Sequence, residues 1–322
     1  MTRWGILSTA TINQKLLGGA RNSGEVDMVA VASRDHARAL AYARDNGLER
    51  AYGSYDELLA DPDLDAIYIS LPNSMHVEWA TRALEAGKHV LCEKPLSRRA
   101  AEVEALFDVA DRSGRLCMEA FMWRHNPQTK RLAALVAEGA IGELRLVRAA
   151  FTFLLADMDD VRLHAELDGG ALMDVGCYCV SAVRLLAGEP RVVTAQQVSA
   201  ANGVDRRFVA TLSCDAEVLA EIGAALDVPD RSELEALGAD GAIRVGDPWH
   251  CRAPGLDLTR GEHVERIVTP PVDSYRLQLE NFSAAIEGRG EPLLGRADAV
   301  GQARVIEALY RAAASGQAVE LS

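Results

Sequence analysis

The stretch Arg3-Trp4-Gly5-Ile6-Leu7-Ser8-Thr9-Ala10-Thr11-Ile12-Asn13 decides the fold. An apolar, strand-like run, Arg3–Leu7, passes through a short turn of small residues into a helical stretch near 11–22. The turn keeps the spacing of a dinucleotide fingerprint, with Ser8, Ala10 and Asn13 standing where three glycines are usual. The physical demand is a tight turn whose backbone N–H groups face a pyrophosphate at a helix N-terminus, and small residues meet it with less clearance than glycine. Ser8, Thr9, Ala10, Thr11 and Ile12 are candidate contacts on this reading. An ordinary strand-to-helix turn is the competing account of the segment taken alone.

Working outward, the same alternation continues to residue 122. Strands are expected at Arg3–Leu7, Asp27–Ser33, Ala66–Leu71, His89–Cys92 and Leu116–Ala120, with helices near 11–22, 35–46, 75–86 and 98–113. Each strand is almost continuously apolar, as in a parallel sheet covered on both faces. Ser54 with Glu57 predicts a capping box, and Gly47, Gly87 and Gly114 stand at expected helix ends. Beyond 122 the rhythm changes. A helix near 128–139, a long strand over Leu144–Leu155 and a helix near 171–187 lead into strand after strand: Val192–Val198, Arg207–Ser213, Val218–Leu226, Ser232–Gly238 and Ala242–Val245. Helices near 273–287 and 296–315 close the chain. The expectation is an α/β protein: an N-terminal Rossmann domain over 1–122, and an α+β domain over 123–322 with a large, mainly antiparallel sheet.

The totals narrow the function classes. Acidic residues outnumber basic ones, 47 to 34, and the formal charge of −13 repels a nucleic-acid backbone or an anionic membrane over most of the surface. No basic leader segment precedes the first strand, and no run approaching the roughly 18 apolar residues of a membrane span is expected. The six cysteines are scattered without C-x-x-C spacing, so they read as reduced thiols of a cytoplasmic protein, and no metal is implied.

The second strand bears on cofactor choice. A fold of this type that prefers NAD carries Asp or Glu about 20 residues beyond the fingerprint, to hold the ribose 2′-hydroxyl. That count from Asn13 reaches Ser33, followed by Arg34, with Arg38 a turn further on. Ser33 leaves room for a 2′-phosphate and the arginines supply charge-assisted donors, so NADP is favoured over NAD. The competing account is that both arginines solvate a helix start beside Asp35.

Two further segments, Ile69-Ser-Leu71-Pro72-Asn73-Ser-Met-His76 and Glu93-Lys94-Pro95, stand in an order and spacing that strongly resemble the glucose-fructose oxidoreductase, inositol dehydrogenase and rhizopine-catabolism (Gfo/Idh/MocA) family. Gly169-Gly170-Ala-Leu-Met-Asp174-Val-Gly176-Cys-Tyr178 resembles that family's Gly-Gly-x-Leu-x-Asp-x-Gly-x-His block, with Tyr178 in place of histidine, as in dihydrodiol dehydrogenases, xylose dehydrogenases and sugar 3-ketoreductases. A tryptophan often found before Arg162 is here Val161. The resemblance implies cofactor contacts from Leu71, Pro72, Asn73, His76, Glu93, Lys94 and Arg162. Arg124, Phe151, Phe153, Asp174 and Tyr178 are implied on the substrate side, in a second domain that binds substrate and forms a homodimer or homotetramer. His76 and the arginines also have structural readings, as a satisfied buried histidine and as salt bridges.

The reaction expected is hydride transfer between nicotinamide and a secondary alcohol or ketone of a sugar, polyol or dihydrodiol. It needs a proton carrier and a cation near the reacting oxygen. Lys94 and Tyr178 fill these roles, in either assignment, and Asp174 binds a substrate hydroxyl or orients Lys94. The pocket is expected at the carboxyl ends of the parallel strands. Two rivals stay open at this point: a redox-assisted NAD-dependent glycosidase or epimerase cycle, and a nucleotide sensor without chemistry.

Overall fold

A computed structural model describes residues 1–157 and 159–321. The chain divides into two compact units. In chain order the elements of its first part are β1 (Thr2–Leu7), α1 (Asn13–Arg21), β2 (Val26–Ala32), α2 (His36–Asn46), β3 (Arg50–Tyr52), α3 (Tyr55–Leu59), β4 (Ala66–Ile69), α4 (His76–Glu85), β5 (His89–Glu93), α5 (Ala100–Ser113) and β6 (Cys117–Ala120). Their six strands form one parallel sheet in the order β3-β2-β1-β4-β5-β6. The order reverses between β1 and β4, and that reversal is the switch point where open α/β sheets bind ligands. Ile6, Leu7, Val29–Val31, Ile67–Ile69 and Val90–Cys92 are buried, as continuous apolar strands require.

The helix ends follow local chemistry. Ser54 Oγ accepts from Glu57 N at 3.2 Å, while Glu57 reaches back to Gly53 N rather than to Ser54, one residue off the ideal box. Gly47, Gly87 and Gly114 have positive φ. Asp35 caps α2 through the amides of Ala37 and Arg38. The three-residue edge strand β3 is too short to have been expected.

The second part comprises α6 (Pro127–Ala137), β7 (Leu144–Leu154), α7 (Cys177–Ala187), β8 (Val192–Ser199), β9 (Asp205–Ser213), β10 (Leu219–Ala225), β11 (Asp227–Gly238), β12 (Ala242–Val245), β13 (Leu256–Arg260), β14 (His263–Ile267), α8 (Ser274–Ile286), α9 (Arg296–Ser315) and β15 (Val319–Glu320). Nine strands form a sheet in the order β14-β13-β12-β11-β7-β10-β9-β8-β15, antiparallel except for the β7–β10 pair. One face packs on α7, whose residues 177–184 are buried; the other alternates polar and small side chains. β13, β14 and β15 were not anticipated, because β14 is largely exposed and polar and β15 has two residues.

The domain boundary also differs from expectation. The first unit is 1–97, 101–122 and 273–300; the second is 98–100, 123–272 and 301–322, so 123–322 is not one body. The cause is α8, which packs on α1. Trp4, fully buried on β1, lies 5.8 Å from Phe282 and its Nε1 donates to Ser283 Oγ at 3.3 Å. A Cβ on Gly19 of α1 would stand 2.7 Å from Arg276 N, so only glycine permits this approach. Ala165–Ala187 is a second correction: it has the length and apolar composition of a membrane span, but 78% of its most apolar window is buried inside the protein, as in a core helix.

Candidate active site

In the first unit the switch point is built from Ser8, Asn13 and Ser70. Ser8 adopts φ 123°, a conformation ordinarily left to glycine. Its hydroxyl lies 2.8 Å from Ser70 Oγ and accepts from Ala10 N at 3.1 Å. Asn13, fully buried, donates to Ser8 O at 2.9 Å and accepts from Ser70 Oγ at 2.6 Å. A polar lattice thus does what glycine packing usually does, and it shapes the turn Thr9–Ile12 whose side chains are half-buried or exposed. Among the described residues no side chain caps α1, in contrast to α2 and α3. That combination leaves an anion-favouring helix start at the end of β1.

Ser33 is buried at the end of β2, and its hydroxyl accepts from Asp35 N at 3.2 Å. Arg34 and Arg38 are exposed. Tyr55, which the sequence did not single out, stands beside them: burial pushes its hydroxyl up, and the charges of Arg34 and Arg38 with a hydrogen bond from Arg34 oppose this. Two cations and a phenol therefore share the edge where a 2′-phosphate is expected.

Lys94 follows β5 and is joined to Pro95 by a cis peptide bond. Glu93 faces inward. Its Oε1 accepts from the Tyr68 hydroxyl at 2.5 Å and its Oε2 from Lys94 N at 3.3 Å. Burial first, and Glu93 second, hold the Tyr68 hydroxyl well above its usual range. The Glu93 carboxylate thus anchors the backbone of Lys94. His76 also faces inward. It is fully buried, with Nε2 2.8 Å from Leu71 O and Nδ1 2.9 Å from Pro95 O, so its ring ties the end of β4 to the Lys94 loop. Pro72 and Asn73 are half-buried at the start of the following helical turn.

In the second unit, Gly169 and Gly170 bring the chain across Arg162 into a π-turn, Leu172–Gly176, that runs on into α7. Arg162 was expected among the cofactor contacts. It donates to two carboxylates of its own unit, to Asp174 Oδ2 at 2.7 Å from Nε and to Asp160 Oδ1 at 3.1 Å. The Asp174 charge is the main cause holding the Arg162 guanidinium above its ordinary range. Tyr178 is 8% exposed and sits in an aromatic group: Phe151 edge-on at 5.5 Å and Trp249 at 5.9 Å. Phe151 also stacks on Trp249 and meets the ring of His250 edge-on at 5.6 Å. Phe153, two residues along β7, is half-buried. Arg124 donates to Ser181 Oγ at 3.1 Å, one turn after Tyr178. Trp249, His250 and Asp160 escaped the sequence reading because they come from irregular segments with no periodic signal. Within the second unit, then, a carboxylate and a phenol lie on one helix start beside an aromatic group, and a forked cation from the 161–163 turn holds the carboxylate.

Residues 2–121 match the oxidoreductase family, NAD-binding Rossmann fold, and residues 129–244 match the GFO/IDH/MocA C-terminal domain. A D-xylose 1-dehydrogenase (NADP(+)) of Haloferax volcanii is 41% identical, with 99% of each chain covered. A crystal structure of a 3-ketoreductase from Actinomadura kijaniata in complex with NADP and TDP-benzene is 31% identical and superposes with a TM-score of 0.91 over 97% of each chain. An aldose-aldose oxidoreductase from Caulobacter crescentus complexed with glycerol is 27% identical, with a TM-score of 0.92 over 99% of each chain. The tyrosine and the lysine replaced in two further structures of the ketoreductase stand as far apart in its chain as Tyr178 and Lys94 do here.

Proposed function

The chain belongs to the Gfo/Idh/MocA oxidoreductase family, and from that premise we propose that it is an NADP-dependent dehydrogenase or reductase acting on a secondary alcohol or ketone of a sugar, polyol or dihydrodiol. The observation that carries the reading is the pairing of Asp174 and Tyr178 on one helix start, with Arg162 from the preceding turn bonded to Asp174, a set suited to hydroxyl-bearing substrates. NADP as the cofactor is supported by Ser33 with Arg34, Arg38 and Tyr55, and by the names of the relatives.

When bound, the nicotinamide supplies or accepts the hydride. Ser8 and the turn to Ile12 would hold the cofactor's pyrophosphate, and Arg34 and Arg38 its 2′-phosphate. Tyr178 moves the hydroxyl proton at its Oη. Lys94 supplies the cation that polarises the substrate oxygen. Asp174, fixed by Arg162, accepts from a neighbouring substrate hydroxyl. Phe151 and Phe153 line the apolar side of the pocket, and Arg124 contributes a donor beside α7.

The assembly is proposed to be a homodimer or a pair of dimers formed through the open face of the nine-stranded sheet. That face holds a depression of about 860 Å³ with alternating charges, Arg148 and Arg244 against Glu221 and Glu235, around exposed Val209. A cytoplasmic location is supported by cysteines buried as core side chains.

The experiment is an NADP-linked assay over pentoses, hexoses, deoxy-ketosugars, inositols and dihydrodiols, with Lys94→Met and Tyr178→Phe compared at the best substrate. Both variants are expected to lose roughly 10²- to 10⁴-fold in kcat with NADPH binding retained. Full turnover by Tyr178→Phe overturns its role as proton carrier.

A further inference from the structure

Asp205 is a buried carboxylate that the chemistry above does not use. It opens β9 and is 2% exposed. Its Oδ2 accepts from the backbone N–H of Leu172 at 2.7 Å, and its Oδ1 accepts from the Tyr310 hydroxyl at 2.9 Å. Leu172 begins the π-turn that carries Asp174 and leads into Tyr178. Its N–H is a first-turn donor that no helix can satisfy from within, and the helix dipole favours a negative charge at that point. Packing there is close: a Cβ on Gly170 would lie 2.1 Å from Asp205 Oδ1 and 3.2 Å from the Tyr310 hydroxyl oxygen. Tyr310 is itself held, with the Arg98 guanidinium 4.0 Å above its ring and Phe208 edge-on at 5.8 Å.

We propose that Asp205, gripped by Tyr310, is a positioning residue that fixes the first turn of this helix and so the relative direction of Asp174 and Tyr178. Side chains four apart on an α-helix diverge by about 40°, and a wider turn between them changes both the size and the sense of that divergence. The register of the π-turn therefore decides whether the two groups address one substrate, and the Asp205 carboxylate is what pins its start. The inference rests on the catalytic roles proposed for Asp174 and Tyr178.

The cap is also titratable. Burial pushes the Asp205 carboxyl up to about 6, against the Leu172 amide, the Tyr310 hydroxyl and the Arg98 charge, which lower it. The ionisable and charged groups facing it are Tyr310 and Arg98, with Asp168 beyond them, 3.7 Å from Arg98. Above that pH the cap is an ion with charge-assisted bonds; below it the neutral acid grips the Leu172 amide less well.

The test compares wild type, Asp205→Asn and Tyr310→Phe in the NADP-linked assay from about pH 5 to 8, alongside hydrogen exchange of segment 170–178. Wild-type kcat is expected to fall on an acidic limb near pH 6. Asp205→Asn should lack that limb and lose roughly 10- to 100-fold in kcat at neutral pH, with unchanged NADPH affinity. Tyr310→Phe removes a donor that lowers the carboxyl pKa, so its limb should move upward; this variant carries the test if Asp205→Asn fails to fold. An Asp205→Asn enzyme that keeps the limb and stays within twofold of wild type overturns the proposal. If wild type turns over no sugar or polyol, the proposed function fails separately and hydrogen exchange still decides. Faster intrinsic-rate-corrected exchange of 170–178 in wild type below pH 6, and in Asp205→Asn throughout, supports the cap. Equal exchange in both proteins at every pH refutes it.

Discussion

Arg162 Nε lies 2.7 Å from Asp174 Oδ2, and the same guanidinium reaches Asp160 at 3.1 Å. The fork makes Asp174 a fixed acceptor. Lysine has one ammonium and cannot reproduce a planar fork on two carboxylates. Arg162→Leu is therefore expected to raise KM for the sugar substrate by roughly 10-fold or more, with a smaller fall in kcat, and Arg162→Lys should recover only part of it. Steady-state kinetics in which Arg162→Lys equals wild type would remove the fork from the account.

Cofactor choice is read at Arg34. Arg34→Ala should weaken NADPH binding by roughly 10- to 100-fold, the worth of a charge-assisted pair with a 2′-phosphate, and leave NADH binding unchanged. Fluorescence titration measures both, and equal losses for the two cofactors contradict the phosphate pairing.

Ser8 holds a backbone conformation that costs a non-glycine residue about 1–3 kcal/mol, offset here by its bonds to Ser70 and Ala10. Ser8→Ala keeps the strain and loses the bonds, whereas Ser8→Gly loses both. Urea unfolding should therefore place the alanine variant below the glycine variant by about 1–2 kcal/mol. The reverse order contradicts this reading of the turn.

Acid stability is expected to reflect two groups of opposite sign. His89 Nδ1 accepts from Leu116 N at 3.0 Å, and burial, helped by Arg115, lowers its pKa to about 4. A depressed histidine contributes stability above about pH 6.5, lost as pH falls from there towards 4. Asp205, raised to about 6, does the opposite: its contribution is full below about pH 4 and is lost as pH rises through 6. The charge that tightens the helix start thus lowers global stability. On going from pH 7 to pH 5, His89→Asn should lose less stability than wild type and Asp205→Asn more, by urea midpoints.

The sheet-face dimer is tested at Val209, which is 56% exposed on β9. Val209→Asp places a buried charge in the proposed interface, so the molar mass by light scattering should fall to the monomer value at micromolar concentration. An unchanged mass locates the interface elsewhere.

The parallel sheet was legible because its strands are buried on both faces and written as apolar runs between helical stretches. Lys94, Asp174 and Tyr178 stand out in the sequence because each lies in a compact local motif. β14 was not, since its side chains are exposed and carry little apolar signal. Tyr55 beside Arg34, Trp249 beside Tyr178 and Asp205 beneath Leu172 were hidden for a different reason. Each acts across a long sequence separation, and nothing in the local pattern names its partner. For His76 and Glu93 the motif was readable and the partners were not: their bonds to Leu71 O, Pro95 O and the Tyr68 hydroxyl are set by packing.

The return of α8 to α1 has a consequence for how the protein is made. When residues 1–122 have left the ribosome, Trp4 has neither Phe282 nor Ser283 to meet, and the Gly19 side of α1 is bare. The covering helix is translated only some 150 residues later, an interval on the order of 10 s. The nucleotide-binding half therefore begins to form first and is completed among the last, and a nascent chain stalled midway presents an open apolar seam to chaperones and proteases.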